Sequence, residues 1–374
     1  MSDSAVGRGS PRHLRPGAGA PVGTVAWRGA RPTAALLLAA LLPLSASAQG
    51  FAGLGTSVEG FALPDPAWTP AFPADHGAHP DFRIEWWYVT ANLQAQDGTP
   101  YGLQWTLFRS ALAPGGAPED QLWMAHAALT TPDRHFVAER LARGGTGQAG
   151  VQADPFEAWL DEWAFRGIED GTLSAQGPDW GYDVTLDAQG PLVLQGDEGY
   201  SVKSEDGQAS HYYSQPFYAV EGTLHLPDGD VAVTGDAWLD REWSSQPLAD
   251  RQVGWDWFSL TLDTGEKLMG FRLRADPDQG GGEPFTSATW IAPDGTPAPF
   301  GPGAFAAEPL ATSEVASREV PTRWRVSLPE RNLDVTVTAL NPGAWMATSV
   351  PYWEGPVTVT GSHQGRGYLE MTGY

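Results

Sequence analysis

No cysteine occurs anywhere in the 374 residues. That absence excludes disulfides, thiol nucleophiles, thiolate metal sites and a cysteine-linked lipid anchor. Cations are scarce too, with 22 Lys and Arg against 45 Asp and Glu and a formal net charge of −23. A surface of that sign repels phosphate backbones and anionic headgroups, so no nucleic-acid partner is expected. Long apolar runs are missing: the stretch Ala34–Leu44 is too short to span a bilayer stably, and nothing further along is longer. Sustained helical periodicity is almost absent. So are the familiar catalytic signatures: no Gly-x-Ser-x-Gly elbow, no His-Glu-x-x-His, no Walker loop and no glycine fingerprint opening a helix.

What is present is glycine, proline and tryptophan, at 45, 32 and 17 residues. Short alternating runs dominate, among them Tyr101–Arg109, Leu122–Thr130, Tyr218–Leu226, Lys267–Arg274 and Leu333–Thr338. Turn signals such as Asp97-Gly98, Asp228-Gly229 and Asp294-Gly295 separate them. This is the pattern of an all-β sandwich or barrel. Residues Ala153–Trp163 are expected to form one short helix, and loops are expected over 275–284 and Pro293–Pro309. At the front, Arg8, Arg12, Arg15, Arg28 and Arg31 precede the apolar stretch, and Ala46-Ser47-Ala48 offers a small-x-small cleavage site. Residues 1–48 therefore read as a secretory signal peptide, giving a soluble secreted or periplasmic protein.

The rest of the chain repeats itself. Glu85-Trp86-Trp87-Tyr88 leads through Asp97-Gly98 to Phe108-Arg109, and Trp255-Asp256-Trp257-Phe258 leads through Thr264-Gly265 to Leu273-Arg274. Val231-Ala232-Val233-Thr234-Gly235 is echoed by Val357-Thr358-Val359-Thr360-Gly361. Two copies of one β architecture follow, residues 49–245 and 246–374, each opening on an aromatic hairpin.

Candidate chemistry centres on acids set among tryptophans. On a strand, Trp238, Asp240 and Glu242 share one face, and Leu239, Arg241 and Trp243 the other. Two carboxylates beside an indole make an acid/base pair if burial keeps one protonated, or an ion-pair network if Arg241 or Arg109 neutralises them. Glu85-Trp86-Trp87-Tyr88 splits likewise, Glu85 with Trp87 and Trp86 with Tyr88. Asp240, Glu242 and Glu85 are thus the candidate catalytic acids. Candidate ligand contacts are Trp86, Trp87, Tyr88, Arg109, His126, His211, Trp238, Trp243, Trp255 and Trp257, with core packing the competing use of each aromatic. His76 and His79 have metal-like spacing but no clear third ligand, so neither a metal nor a cofactor is expected.

Taken together, His79–Tyr88, Phe108-Arg109, His211-Tyr212-Tyr213-Ser214, Trp238–Trp243, Gly254-Trp255-Asp256-Trp257, Tyr352-Trp353-Glu354-Gly355 and Gly367–Tyr374 are familiar. The chain resembles the carotenoid 1,2-hydratase/AttH-like family of secreted lipocalin-like proteins across nearly its whole mature length. The resemblance implies two tandem lipocalin-like β-barrel domains. It also implies an apolar carotenoid, isoprenoid or lipid ligand, and a link to ABC-type export systems. One departure stands out: Arg241 occupies the place of a histidine in the photosynthetic hydratases. Two functions follow. A hydro-lyase would protonate an alkene from Asp240 or Glu242, with Trp86, Trp87 and Trp243 as walls around the cation. A non-catalytic carrier would hold a lipid in a closed barrel.

Overall fold

The computed structural model describes residues 58–246, 248–276 and 282–374. The expected signal peptide, 1–48, and residues 277–281 of the expected glycine-rich loop lie outside the described residues. Among the described residues no helix is long and apolar enough to cross a membrane.

Two antiparallel sheets hold most of the described residues. In the first, β1 (Ile84–Ala95), β2 (Pro100–Ala111), β3 (Gln121–Thr130) and β4 (His135–Arg143) form successive hairpins. Next come β5 (Ala149–Ala153), β6 (Phe156–Leu160), β7 (Trp163–Arg166), β8 (Asp170–Gln176) and β9 (Gly181–Ala188). The short β10 (Val193–Leu194) and β11 (Tyr200–Val202) pair with β12 (Ala209–Leu226), and β13 (Gly229–Ser244) closes the series. The strand order is β4-β3-β2-β1-β13-β12-β9-β8-β7-β6-β5. Strands β3 and β4 come round against β6, curling the sheet into a barrel.

The second sheet is built from β14 (Gln252–Leu262), β15 (Lys267–Ala275), β16 (Phe285–Ile291), β17 (Pro297–Phe300) and β18 (Ala306–Val315). It continues with β19 (Arg318–Leu328), β20 (Leu333–Ala339), β21 (Trp345–Met346), β22 (Tyr352–Gly361) and β23 (Gly365–Met371). Its order is β17-β16-β15-β14-β23-β22-β20-β19-β18. In both sheets the first strand sits centrally, between its hairpin partner and the last strand. The turns of the two opening hairpins match as well. Gly98 and Gly265 take φ of 89° and 98°, a left-handed geometry that glycine enters without steric cost. The duplicated hairpins expected from the sequence are therefore equivalent in space.

The Val-x-Val-Thr-Gly echo is not. Val231–Gly235 lies on β13, beside β1, whereas Val357–Gly361 lies on β22, one strand removed from β14. Alternating valines suit any strand with one buried face, so the match records local composition and not position. The helix expected over Ala153–Trp163 is also corrected. Phe156, Ala158 and Leu160 are buried while Glu157 and Trp159 are half-buried, a period of two that makes β6. Pro293–Pro309 is not one loop: it contains β17 and the start of β18.

Each barrel is filled by its own side chains. Trp87, Val89, Trp105, Leu107 and Leu239 belong to the first core, and Phe258, Leu260, Trp324, Val326 and Trp353 to the second. A third cluster joins the outer faces of the two barrels, with Tyr88, Tyr212 and Trp238 from the first against Trp257, Phe271 and Tyr368 from the second. Two sheets that each pack on both faces make the pair one body.

Candidate active site

Strands β1 and β13 bring the two acidic tryptophan motifs side by side. The register sets Glu85 opposite Trp243, Trp86 opposite Glu242, Trp87 opposite Arg241 and Tyr88 opposite Asp240. Because successive side chains alternate in direction, the pairs divide between two faces. Trp86, Tyr88, Glu242 and Asp240 point away from the barrel, towards the second domain. Glu85, Trp87, Arg241 and Trp243 point inward or towards the barrel's end. Flanking strands extend the outer face: Thr106 and Phe108 on β2, and Tyr212 on β12 opposite Glu242. The second barrel answers with Trp255 and Trp257 on β14, Phe271 and Leu273 on β15, and Glu370 on β23 opposite Trp257.

A cleft lies between these faces, lined by those residues together with Lys203 and Leu248. Its free space is about 700 Å³ including the open mouth, but only about 80 Å³ is wide enough for the centre of a water molecule. The cleft is a narrow slot between aromatic walls. The ring centroids of Tyr88 and Trp257 stand 5.2 Å apart, edge to face.

Three acids line the slot, and their surroundings separate them. Asp240 is 2% exposed. Tyr212 Oη donates to its Oδ2 at 2.6 Å, and Trp238 Nε1 and Ser214 Oγ donate to its Oδ1 at 2.6 and 2.5 Å. Burial pushes its pKa up to about 7, with Glu242 adding repulsion, although the three donors pull the other way. Glu370 accepts a 2.6 Å bond from Trp255 Nε1. Burial and the nearby Asp240 and Glu242 push it up to about 7 as well. Behind it stands Glu354, its cross-strand partner on β22, where burial and the Glu370 charge hold the carboxyl well above the usual carboxylate range. Glu242 differs, since Lys203 Nζ lies 2.8 Å from its Oε1 and Ser210 Oγ donates to the same oxygen. That lysine also sits over the rings of Phe271 and Tyr212, at 4.3 and 4.9 Å from their centroids.

Glu85 occupies the opposite face and plays a structural part. Arg109 Nε donates to its Oε1, and Arg241 Nη2 to its Oε2 at 2.8 Å. The backbone N–H of His79 adds a 2.8 Å bond. Burial alone would raise its pKa, but the two guanidinium groups outweigh it and hold the carboxyl far below the usual range. The arginines expected beside Asp240 are therefore spent on Glu85, and Asp240 is satisfied by neutral donors instead. Arg241 stacks over the Trp87 ring at 3.8 Å, so the residue that departs from the hydratase pattern faces away from the slot.

Of the expected site residues, Trp86, Tyr88, Asp240, Glu242, Trp255 and Trp257 line the slot, and Trp238 reaches it through its bond to Asp240. Glu85, Trp87, Arg109, His126, His211 and Trp243 do not line it. Trp87 fills the barrel core and Arg109 binds Glu85. Trp243 stacks on His79 with centroids 3.9 Å apart, and His211 packs against Trp68. His126 bonds Tyr352 and Glu139 behind the slot. Glu370 and Tyr212 were overlooked, although both stand in motifs that carried the resemblance. Two alternate positions from Tyr368, Glu370 shares the face of the slot with nothing in its own strand to mark it as an acid site.

The raised acids make a stability prediction. Asp240 has a folded pKa above its ordinary 3.8, so its contribution is fully present below about 4 and is lost as pH rises through about 7. Asp240→Asn removes that loss. Denaturant titrations of the variant and the parent are expected to move by a few kcal/mol in the variant's favour between pH 4 and pH 8 (~1.4 kcal/mol per pKa unit). A pH-independent difference would show that Asp240 is not raised.

Fold and cleft define a class: a two-barrel all-β protein with an acid-lined aromatic slot between the barrels. The AttH-like family profile matches residues 63–374, and the chain belongs to the AttH-like family. A crystal structure from Nitrosomonas europaea assigned to AttH is 35% identical, with a TM-score of 0.75 over 84% of this chain and 100% of its own. Kievitone hydratase from Nectria haematococca shares the fold at 15% identity, with a TM-score of 0.59 over 84% of this chain and 98% of its own. CghA in complex with Sch210972 does so at 14% identity, with a TM-score of 0.50 over 83% of this chain and 97% of its own. No curated protein matches the sequence.

Proposed function

We propose that this protein adds water to an alkene of an apolar, isoprenoid-like or lipid substrate held in the slot between the barrels. The observation that carries the reading is the pair Asp240 and Glu370, two carboxyls raised to about 7 on opposite walls of one aromatic slot. Hydration needs a proton donor, a cation-stabilising wall and a base for the water. Glu370 suits the donor role, because burial and the neighbouring acids favour its protonated form although Trp255 and Tyr88 both face it as donors. Asp240 suits the base role, because three donors favour its carboxylate. Proton transfer from Glu370 to one alkene carbon leaves a carbocation on the other, facing Trp86, Trp255 and Trp257. An indole face contributes about 0.5–2 kcal/mol to a desolvated cation. Water then bonds to the cationic carbon and gives its proton to Asp240. Glu242 is held by Lys203 and is the weaker candidate of the original pair. A fold neighbour that bears the name of a hydratase agrees with this chemistry, but the acids of the slot carry it.

The second reading is a lipid carrier, favoured by the uniformly aromatic lining. In either reading the ligand sits between the barrels and not inside one. Native mass spectrometry with solvent extraction of protein from its own host, followed by tryptophan fluorescence titration, tests both. A bound polyene or lipid is expected, with quenching by polyenes or fatty alcohols and none by nucleotides. Binding without formation of an alcohol would favour the carrier, and saturable oligosaccharide binding without lipid binding would overturn both.

A further inference from the structure

We infer that Tyr88, Glu354, Tyr352, His126 and Glu139 form a buried proton path linking Glu370 in the slot to solvent at the β4 edge of the face between the barrels. Its role rests on Glu370 being the proton donor of the proposed hydration, but its existence does not. A donor covered by an apolar substrate is cut off from the mouth of the slot, and reprotonation then requires another route.

The path runs between the facing surfaces of the two sheets, because Tyr88, His126 and Glu139 lie in one cross-strand row through Thr106 on the face of the first sheet turned to the second barrel. Tyr88 Oη on β1 donates to Glu354 Oε1 on β22 at 2.5 Å, and the same hydroxyl faces Glu370. Two residues along β22, on the same face, Tyr352 Oη faces Glu354 and meets His126 Nδ1 on β3 at 3.0 Å. The Tyr352 and His126 rings stack at 5.6 Å. His126 Nε2 meets Oε1 of Glu139, its register partner on β4, at 3.1 Å. Glu139 is the first member with appreciable solvent exposure, 22% of its side chain, and Ser349 Oγ donates to the same oxygen at 2.6 Å. The two links Tyr88–Glu370 and Tyr352–Glu354 are looser than closed hydrogen bonds, and small side-chain motions complete them. Every member carries both a donor and an acceptor in some protonation or tautomeric state.

The balance is simple. A proton reaching Glu139 passes to His126 Nε2 as Nδ1 releases one to Tyr352. Tyr352 gives one to Glu354, Glu354 one to Tyr88, and Tyr88 one to Glu370, with no net charge left behind. The proton taken from water by Asp240 leaves through the mouth with the product. One enters and one departs for each turnover.

Hydrogen–deuterium exchange at Glu354 tests the path without any substrate. Glu354 is 1% exposed and burial holds its carboxyl well above the usual carboxylate range, so the reading is taken at a pH where the infrared carbonyl stretch of the protonated acid, which Glu354→Gln removes, is seen. The full chain is mixed rapidly into D₂O. In Tyr88→Phe the link towards the slot is cut, and exchange is expected to stay fast. Adding His126→Phe, or the milder His126→Gln if the first does not fold, is expected to slow exchange at least tenfold. Slow exchange already in Tyr88→Phe would overturn the path, because protons would then arrive through the slot. Unchanged or faster exchange in the double variant would overturn it too, since a merely structural histidine loosens its surroundings when removed. A protein that exchanges as expected but hydrates nothing would refute the proposed function and leave the path standing.

Discussion

Glu370→Gln is expected to lower hydration of an isoprenoid alkene by at least about a hundredfold, the usual loss when a general acid is removed. KM should change little, because the amide keeps the size of the carboxyl and can still accept from Trp255. Asp240→Asn should produce a comparable loss, since an amide cannot take the proton from water. The proposed hydration needs one proton shared between the two acids of the parent. Its activity should therefore follow a bell centred near pH 7, falling about tenfold per unit on each side, with apparent values that belong to the pair. Acid loss arises because Asp240 becomes protonated, and alkaline loss because Glu370 ionises. Product formation across pH 5 to 9, measured by chromatography, checks the shape. Full turnover in either variant removes that residue from the mechanism.

The second large effect concerns the arginines. Arg241→Met leaves Glu85 buried with only Arg109 and His79 beside it, and about 3–5 kcal/mol of stability is expected to be lost. Glu85→Gln in the same chain should recover part of that loss, because the uncompensated charge is then gone. The pH dependence has the opposite sign to that of Asp240. The folded pKa of Glu85 lies below its ordinary 4.5, so its contribution is present above about 4.5 and lost as pH falls below it. Urea denaturation of the parent, Arg241→Met and Arg241→Met/Glu85→Gln at several pH values measures all three. An Arg241→Met chain as stable as the parent would show that the network contributes nothing. Because Arg241 faces away from the slot, this variant tests the scaffold separately from the chemistry.

Much of this organisation was legible in the sequence, for identifiable reasons. Period-two alternation assigned Glu85 with Trp87 and Asp240 with Glu242 to faces, because side-chain direction along a strand is a local property. The duplicated hairpins were legible because a turn with a positive-φ glycine leaves its mark on neighbouring residues. Ala153–Trp163 misled because a short apolar segment fits either period until its burial is known. The sequence also left open where a pocket would lie. A closed barrel is the natural container, yet both interiors are filled and the slot lies outside them.

By itself, then, the sequence determined the all-β class, the two opening hairpins and the family, since each is written in local pattern or in long contiguous motifs. Tertiary structure alone decided which acid does what. Glu85, Asp240 and Glu370 are all carboxyls beside tryptophans. The first meets two guanidinium groups and is fixed as an anion, while the other two meet neutral donors and each other in a slot of low polarity. Those partners come from distant strands: Glu85 and Arg241 are 156 residues apart, and Glu370 and Trp255 are 115 apart. The charge state of a buried acid depends on what folding brings within a few ångströms, and no local pattern carries that information.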